Sequence, residues 1–309
     1  MKDLNFFFKK ILLFIPFLII TYSIFIIISV NLPFKLLESN INYERGSYGH
    51  LYSRVNEIRD YKNIDILFLG SSRAYRGFDT RIFKNHGLKT FNLGSSGQTF
   101  IQTNVLLKRY LKQLNPKTII LEVSPLNFSL DGVESSLDLI SNDENDILTL
   151  KKLIKWDNIK TINTAIYGFY NDKIIKSNYI EKRKKESDFY ISGGFVEKEL
   201  AFYKEEKKFE KQKITLNNNQ LKEFRECIDI INANKIELKL VQAPITKSRY
   251  NSYLGIREFD KLMSSYSDYY NFNNLLQLND SLHFYDSDHL NQNGVALFNK
   301  KLITLLSLK

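Results

Sequence analysis

At 309 residues the chain suits one α/β domain with insertions and is too long for a single minimal domain. Hydrophobic residues make up 43% and charged residues 25%, an ordinary globular composition that excludes disorder as the default state. A net charge of +10 suits nucleic acid, a membrane surface or an acidic polymer, but no helix-turn-helix, RNP-like or zinc-finger pattern accompanies it. Scattered, solvated lysine accounts for the excess, and no nucleic-acid partner is expected.

The first element is "ILLFIPFLIITYSIFIIISV", uncharged from Ile11 to Val30. About 20 apolar residues cross a bilayer as a helix, and Pro16, Thr21 and Ser23 are tolerable inside one. Lys2, Lys9 and Lys10 precede the run, which places the N-terminus in the cytoplasm by the positive-inside rule. The run is long for a signal peptide, and "SVNLPFKLL" offers no small-residue cleavage site. A single-pass anchor in the cell membrane is therefore expected, with the rest of the chain extracytoplasmic. Residues 1–32 then form the cytoplasmic tail and transmembrane anchor. Residues 33–62 read as a polar juxtamembrane stalk or juxtamembrane helix, interrupted by Gly46 and Gly49, and residues 63–309 as the α/β domain.

That domain alternates strand-like and helix-like runs. "IDILFLG", "KTFNLG" and "KTIILEVSP" read as strands, the first a continuous apolar run of the kind buried in a parallel sheet. "QTFIQTNVLLKRYLKQL" has apolar residues at helical spacing. Residues 131–219, rich in Lys, Asn, Asp and Tyr, break the rhythm and read as a mostly helical insertion or lid, with a turn at Gly193-Gly194. The run Lys182-Arg183-Lys184-Lys185 within it reads as a solvated face, with a site for an anionic partner as the alternative. Alternation then resumes: "LKEFRECIDIINANK" is a helix with Cys227 as a small core residue, "IELKLVQAP" a strand and "FDKLMSSYSD" a helix. "YYNFNN" is a short strand, and the closing helix is capped at Asn291. The pattern predicts a three-layer α/β/α, flavodoxin-like parallel sheet of about five strands. One cysteine allows no internal disulfide.

Ligands bind such sheets at the carboxyl ends of the strands, where "GSSR", "NLGSSG", "EVSP" and "QAP" all fall. Gly-Ser-Ser alone is a common turn, the glycines of "NLGSSG" suit a tight connection, and Asp-x-x-His suits a helix cap. Together they meet a known chemical need. A serine hydroxyl is a weak nucleophile until a base takes its proton, an imidazole does this near neutral pH, and a carboxylate orients the imidazole. Asp286 and His289, three apart, can supply the last two groups. The amides of Gly97 and Ser72 are candidate donors to an oxyanion. His283 and Asp288 lie near enough to stand in for a member of the pair. Arg73 and Arg76 either cap and solvate the following helix or bind an anionic substrate group such as a phosphate or uronate. His50 and His86 have no partners at metal-ligand spacing, and no Walker or dinucleotide loop occurs, so no metal and no cofactor are expected.

The order of these segments resembles the SGNH (GDSL-like) hydrolase superfamily over roughly residues 64–127 and 220–305. With the apolar N-terminal run it looks like the membrane-anchored branch, which includes the D-alanine transfer protein of teichoic acid assembly and exopolysaccharide O-acetyltransferases. The resemblance implies that Ser72 is the nucleophile, His289 the base, Asp286 its partner and Gly97 the oxyanion-hole glycine. It also implies ester hydrolysis or acyl transfer on an acylated or acyl-accepting cell-surface glycan, or a non-catalytic role beside a membrane-bound O-acyltransferase. The superfamily's Gly-x-Asn-Asp block after the third strand is replaced here by "EVSPLN", and Ser124 and Asn127 are the alternative substitutes for its donor.

Overall fold

The computed structural model describes residues 2–32, 40–47, 49–176, 178–204 and 208–306. Helix α1 (Lys2–Asn31) carries the apolar run. Its Lys9–Asn31 portion, with a mean hydropathy of 2.9, is long and apolar enough to cross a membrane or serve as a signal sequence. Residues 33–39 of the expected stalk lie outside the described residues, and its later part is not a polar spacer. Helix α2 (Leu51–Glu57) and the turn after it bury Leu51, Val55 and Ile58 in the domain core. Those positions repeat every three to four residues, as a core-facing helix requires. The α/β domain therefore begins upstream of the boundary expected at residue 63.

Beyond it, β1 (Ile66–Leu69) leads into α3 (Ser72–Gly77) and α4 (Thr80–Asn85), and β2 (Thr90–Asn92) into α5 (Phe100–Leu114). Next, β3 (Thr118–Glu122) leads into α6 (Pro125–Ser129). The insertion contains α7 (Val133–Asn142), α8 (Ile159–Tyr170) and two π-helical turns. It continues as an antiparallel sheet of β4 (Lys184–Lys185), β5 (Asp188–Ile191) and β6 (Phe195–Lys198). After the short β7 (Gln212–Lys213), α9 (Asn218–Ala233) and β8 (Glu237–Gln242) restore the alternation. Then come α10 (Lys247–Tyr250), β9 (Tyr253–Leu254), α11 (Ile256–Ser264) and β10 (Asp268–Asn271). Helices α12 (Phe272–Leu275), α13 (Asp280–His283) and α14 (Gln292–Leu305) close the described chain.

The central sheet has five parallel strands in the order β2-β1-β3-β8-β10. This is the flavodoxin-like order, with its reversal between β1 and β3, where a crevice opens at the strands' carboxyl ends. Side chains alternate across each strand. Leu67, Leu69, Ile119 and Leu121 face one core with residues of α5, α9 and α11, while Ile66, Phe68 and Ile120 face the other with residues of α3, α4 and α14. The sheet is thus covered on both faces, and Cys227 is buried on the α9 side.

The insertion differs from the mostly helical expectation by its small sheet. Gly193 and Gly194, both at positive φ, turn β5 into β6. A side chain at Gly194 would meet the carbonyl oxygen of Asn92, and Asn92 N–H donates to Gly193 O at 2.7 Å. The hairpin is held by docking against the edge of β2 and against α3, a long-range contact that a short sequence window does not display. None of the described residues of 131–219 lines the cavity described below.

Arg54 of α2 is fully buried. Its guanidinium donates to Gly94 O at 2.6 Å, to Gly194 O at 3.0 Å and to Gly49 O, and lies over the Tyr75 ring. One side chain thereby ties the loop after β2 to the β5–β6 turn. Arg54→Met would leave three carbonyls without that donor and should lower stability by about 3 kcal/mol. Thermal unfolding of the full chain should show this as a Tm lowered by about 5–10 °C.

Glu226 of α9 sits between Lys108 at 2.6 Å and Lys152 at 2.8 Å, and their hydrogen bonds lower its pKa from 4.5 to about 2. A carboxylate depressed on folding adds stability above its unfolded pKa, and that increment is lost as pH falls through the folded value. Its partial exposure limits the contribution to about 1 kcal/mol or less. Glu226→Gln should therefore be less stable than wild type at pH 7, and the gap should close as the pH is lowered from 4.5 to about 2 in denaturant titrations.

Candidate active site

The turn after β1 is tight because Gly70, at φ +137°, passes against β3, where a side chain on Gly70 would fall 2.6 Å from Glu122 Cβ. Ser71 N–H and Oγ donate to Glu122 Oε2 at 3.2 and 2.9 Å, and Ser71 Oγ accepts from Arg73 N–H. Ser72 is the first residue of α3, at the reversal point of the sheet. Its Oγ lies 2.7 Å from His289 Nε2.

His289 precedes α14 in a loop built by its own neighbours. Asp286 Oδ1 accepts the N–H groups of Asp288 and His289, each at 2.8 Å, and the carboxylate takes His289 Nδ1 at 2.9–3.0 Å. A carboxylate on Nδ1 fixes the proton there and leaves Nε2 free to accept the Ser72 hydroxyl. Tyr285 stacks on the imidazole with 4° between the ring planes. The loop hangs from the end of β8, where Thr246 N–H and Oγ1 both donate to Ser287 O at 3.0 Å. Burial works against the charge on Asp286, but His289 and the two backbone N–H groups keep its pKa below the ordinary carboxylate range. It is therefore ionised at neutral pH.

Ser72 and His289 open into a cavity of about 260 Å³, also lined by Arg73, Gly97, Asn127 and Arg249. Gly97 has φ +56°, and an added side chain would meet open space, so its backbone is unobstructed. Of the two substitutes for the missing donor, Asn127 reaches the cavity and Ser124 does not. Ser124 Oγ instead donates to Asn127 Oδ1, while Asn127 Nδ2 donates to Gln98 O at 3.1 Å. Ser124 thus sets which way the amide points, and the second N–H of Nδ2 remains beyond the one given to Gln98.

The arginines divide. Arg73 lines the cavity, buried and paired with Asp288. Arg76 does not line it, since both terminal nitrogens bind Asp188 of β5, at 2.9 and 2.6 Å. That is an internal clamp between α3 and the hairpin. His283 is also outside, where its Nδ1 accepts Asn279 N–H at 2.8 Å. Asp288 lines the cavity but faces Arg73, not the imidazole; burial disfavours its charge, while Arg73 and the Ser287 hydroxyl lower its pKa. His50 is buried beside Glu181 and His86 bonds its own helix, so neither belongs to the site.

Three supporting residues were not singled out by sequence. Glu122 holds the residue before Ser72, Arg54 holds the carbonyl of Gly94 in the loop that carries Gly97, and Arg249 lines the cavity from α10. The available signal was an acid closing an otherwise apolar strand, "TIILE", and a cation just past the end of another, "QAPITKSR".

No protein-family model and no curated protein matches the chain. Among solved structures it is similar to a GDSL-like lipase of Bacteroides thetaiotaomicron VPI-5482, with TM-score 0.41 and 10% identity over 84% of this chain and 98% of that one. It is also similar to a family 3 carbohydrate esterase of Clostridium thermocellum, with TM-score 0.36 and 12% identity over 79% of this chain and 94% of the other.

A hydroxyl, an imidazole and a carboxylate in line can raise the nucleophilicity of Ser72 toward an electrophilic carbonyl or phosphorus. Asp286→Asn would stop the carboxylate from holding the proton on Nδ1. The rate at which a fluorophosphonate labels Ser72 should then fall by about 10³–10⁴-fold.

Proposed function

We propose that the chain is a membrane-anchored, extracytoplasmic serine esterase or O-acyltransferase that acts on an acylated cell-envelope glycan or teichoic-type polymer. The observation that carries the reading is the relay Ser72 Oγ–His289 Nε2 at 2.7 Å and His289 Nδ1–Asp286 at 2.9 Å, at the crevice of the sheet. In the first half-reaction His289 takes the Ser72 proton as Oγ adds to the ester carbonyl. The tetrahedral oxyanion lies toward the N–H groups of Ser72 and Gly97 and the Asn127 amide, which stabilise charge that develops only in the transition state. Collapse expels the alcohol, to which His289 returns the proton. In the second half, water or a sugar hydroxyl gives its proton to His289 and attacks the acyl-serine; the acyl–Oγ bond then breaks, and His289 returns the proton to Ser72. Asp286 stabilises the imidazolium at both stages without taking its proton.

The cavity volume of about 260 Å³ lies below the range of roughly 300–1,000 Å³ usual for drug-sized ligands, which favours a short acyl group. Leu126 and Leu130 give it an apolar wall, and Arg73 with Arg249 gives it donors suited to an oxygen-rich acceptor. The α1 run supports anchoring, and the three lysines ahead of it support an outward-facing domain.

The test is labelling of the full chain with a fluorescent fluorophosphonate, with Ser72→Ala and His289→Gln beside wild type. Wild type should label, Ser72→Ala should not, and His289→Gln should label at least about 10³-fold more slowly. If properly folded wild type and Ser72→Ala are equally unreactive, the enzymatic reading fails, and a non-catalytic partner of a membrane-bound acyltransferase replaces it.

A further inference from the structure

Residues 147–160, "ILTLKKLIKWDNIK", expose an unusual set of side chains. Trp156 is 71% exposed, Ile147 58% and Ile159 48%, and Leu150 is also exposed. Four lysines stand among them against one aspartate, Asp157. Lys152 is paired with Glu223 and Glu226, and Lys155 lies 3.7 Å from Asp131. Lys151 and Lys160 have no acidic partner among the described residues. An exposed Trp with aliphatic neighbours and unpaired lysines is the composition of a bilayer interface, where apolar groups enter the acyl boundary and cations meet lipid phosphates.

The position of this segment relative to α1 supports the same partner. Helix α8 begins at Ile159 and packs along α1, and Tyr22 OH donates to Asn163 Oδ1 at 2.7 Å. Ile26 and Ser29 of α1 are buried, whereas Phe14, Phe17 and Leu18 are exposed. At 1.5 Å per residue, Tyr22 lies about 13 Å inside the end of α1 at Asn31. Ile159 is four residues from Asn163, about 6 Å along α8. Depending on which way α8 runs relative to α1, Ile159 lies about 7 Å or about 19 Å inside the Asn31 end, beside the apolar span in either case.

We infer that residues 147–160 dock on the outer leaflet. Ile147, Leu150, Trp156 and Ile159 enter the acyl boundary, and the long side chains of Lys151 and Lys160 reach out toward the lipid phosphates. The inference rests on the anchor reading for α1 and is independent of the esterase reading. Docking also orients the candidate site. Asp131, paired with Lys155 beside Trp156, directly follows Leu130 in the cavity wall, so rim and cavity share one edge of the domain.

Trp156 is the single tryptophan of the chain, so its emission reports this segment alone. The full chain is reconstituted in vesicles of phosphatidylcholine and phosphatidylglycerol, with or without phosphatidylcholine brominated at a shallow acyl position. A second protein carries Phe14→Trp in a Trp156→Phe background and reports the span. The expected result is blue-shifted Trp156 emission that brominated lipid quenches, with quenching of the Phe14→Trp protein as well. If the Phe14→Trp protein is quenched while Trp156 emits as in water and is not, the anchor stands and the docking inference is overturned. If neither is quenched, the anchor reading fails and the docking inference falls with it.

Discussion

The hydrogen bond between Ser72 and His289 joins residues 217 positions apart, and it holds only while α3 and α14 keep their places on one face of the sheet. An apolar contact and a polar clamp fix those places. Phe78, just after α3, packs on Phe298 of α14 with ring centroids 5.4 Å apart. Asn299 of α14 donates to Gly77 O at 2.7 Å and accepts from Asp79 N–H at 3.3 Å. The buried amide satisfies backbone groups at the end of α3 that have no helical partner, so sliding α14 along its apolar face would strand them. Apolar packing alone is non-directional and tolerates small shifts; the clamp sets the register.

Beneath the cavity several charged groups are paired within the protein. Glu122 receives Ser71, Arg54 binds three glycine carbonyls, and Asp288 receives Arg73. Buried charges are costly unless compensated, and this compensation also freezes the loops that present Ser72 and Gly97. Preorganisation of that kind reduces the rearrangement required in the transition state. It also explains why Arg76, so close to Ser72 in sequence, does not face the cavity. On α3 it points to the hairpin and meets Asp188, while Arg73, one turn back, turns inward.

The insertion and α1 carry a different burden. Their described residues supply none of the cavity lining, yet β5 and β6 brace α3 and the edge of β2, and α8 packs on the C-terminal half of α1. A domain packed directly on α1 has less freedom relative to that helix than one on a flexible tether.

By itself the sequence determined the class of fold. Continuous apolar strands alternating with 3.6-periodic helices admit little besides a parallel sheet covered on both faces, and such a sheet gathers its loops at one end. Ser72 and Gly97 were legible for that reason, each following a strand at that end, while Asp286 and His289 were legible from their spacing of three and from the resemblance that assigned them roles. Tertiary structure alone decided what depends on distant partners. Leu51, Val55 and Ile58 became core because α7 and the apolar layer on that face of the sheet were there to receive them, although the segment around them reads as polar. The β5–β6 hairpin formed because Gly194 fits against Asn92. Asn127 became the candidate donor and Ser124 its support because a hydrogen bond turned one amide, and no spacing in the chain encodes that direction. Periodicity records which face of an element is apolar; which side chains meet across two hundred residues is settled only when the layers close.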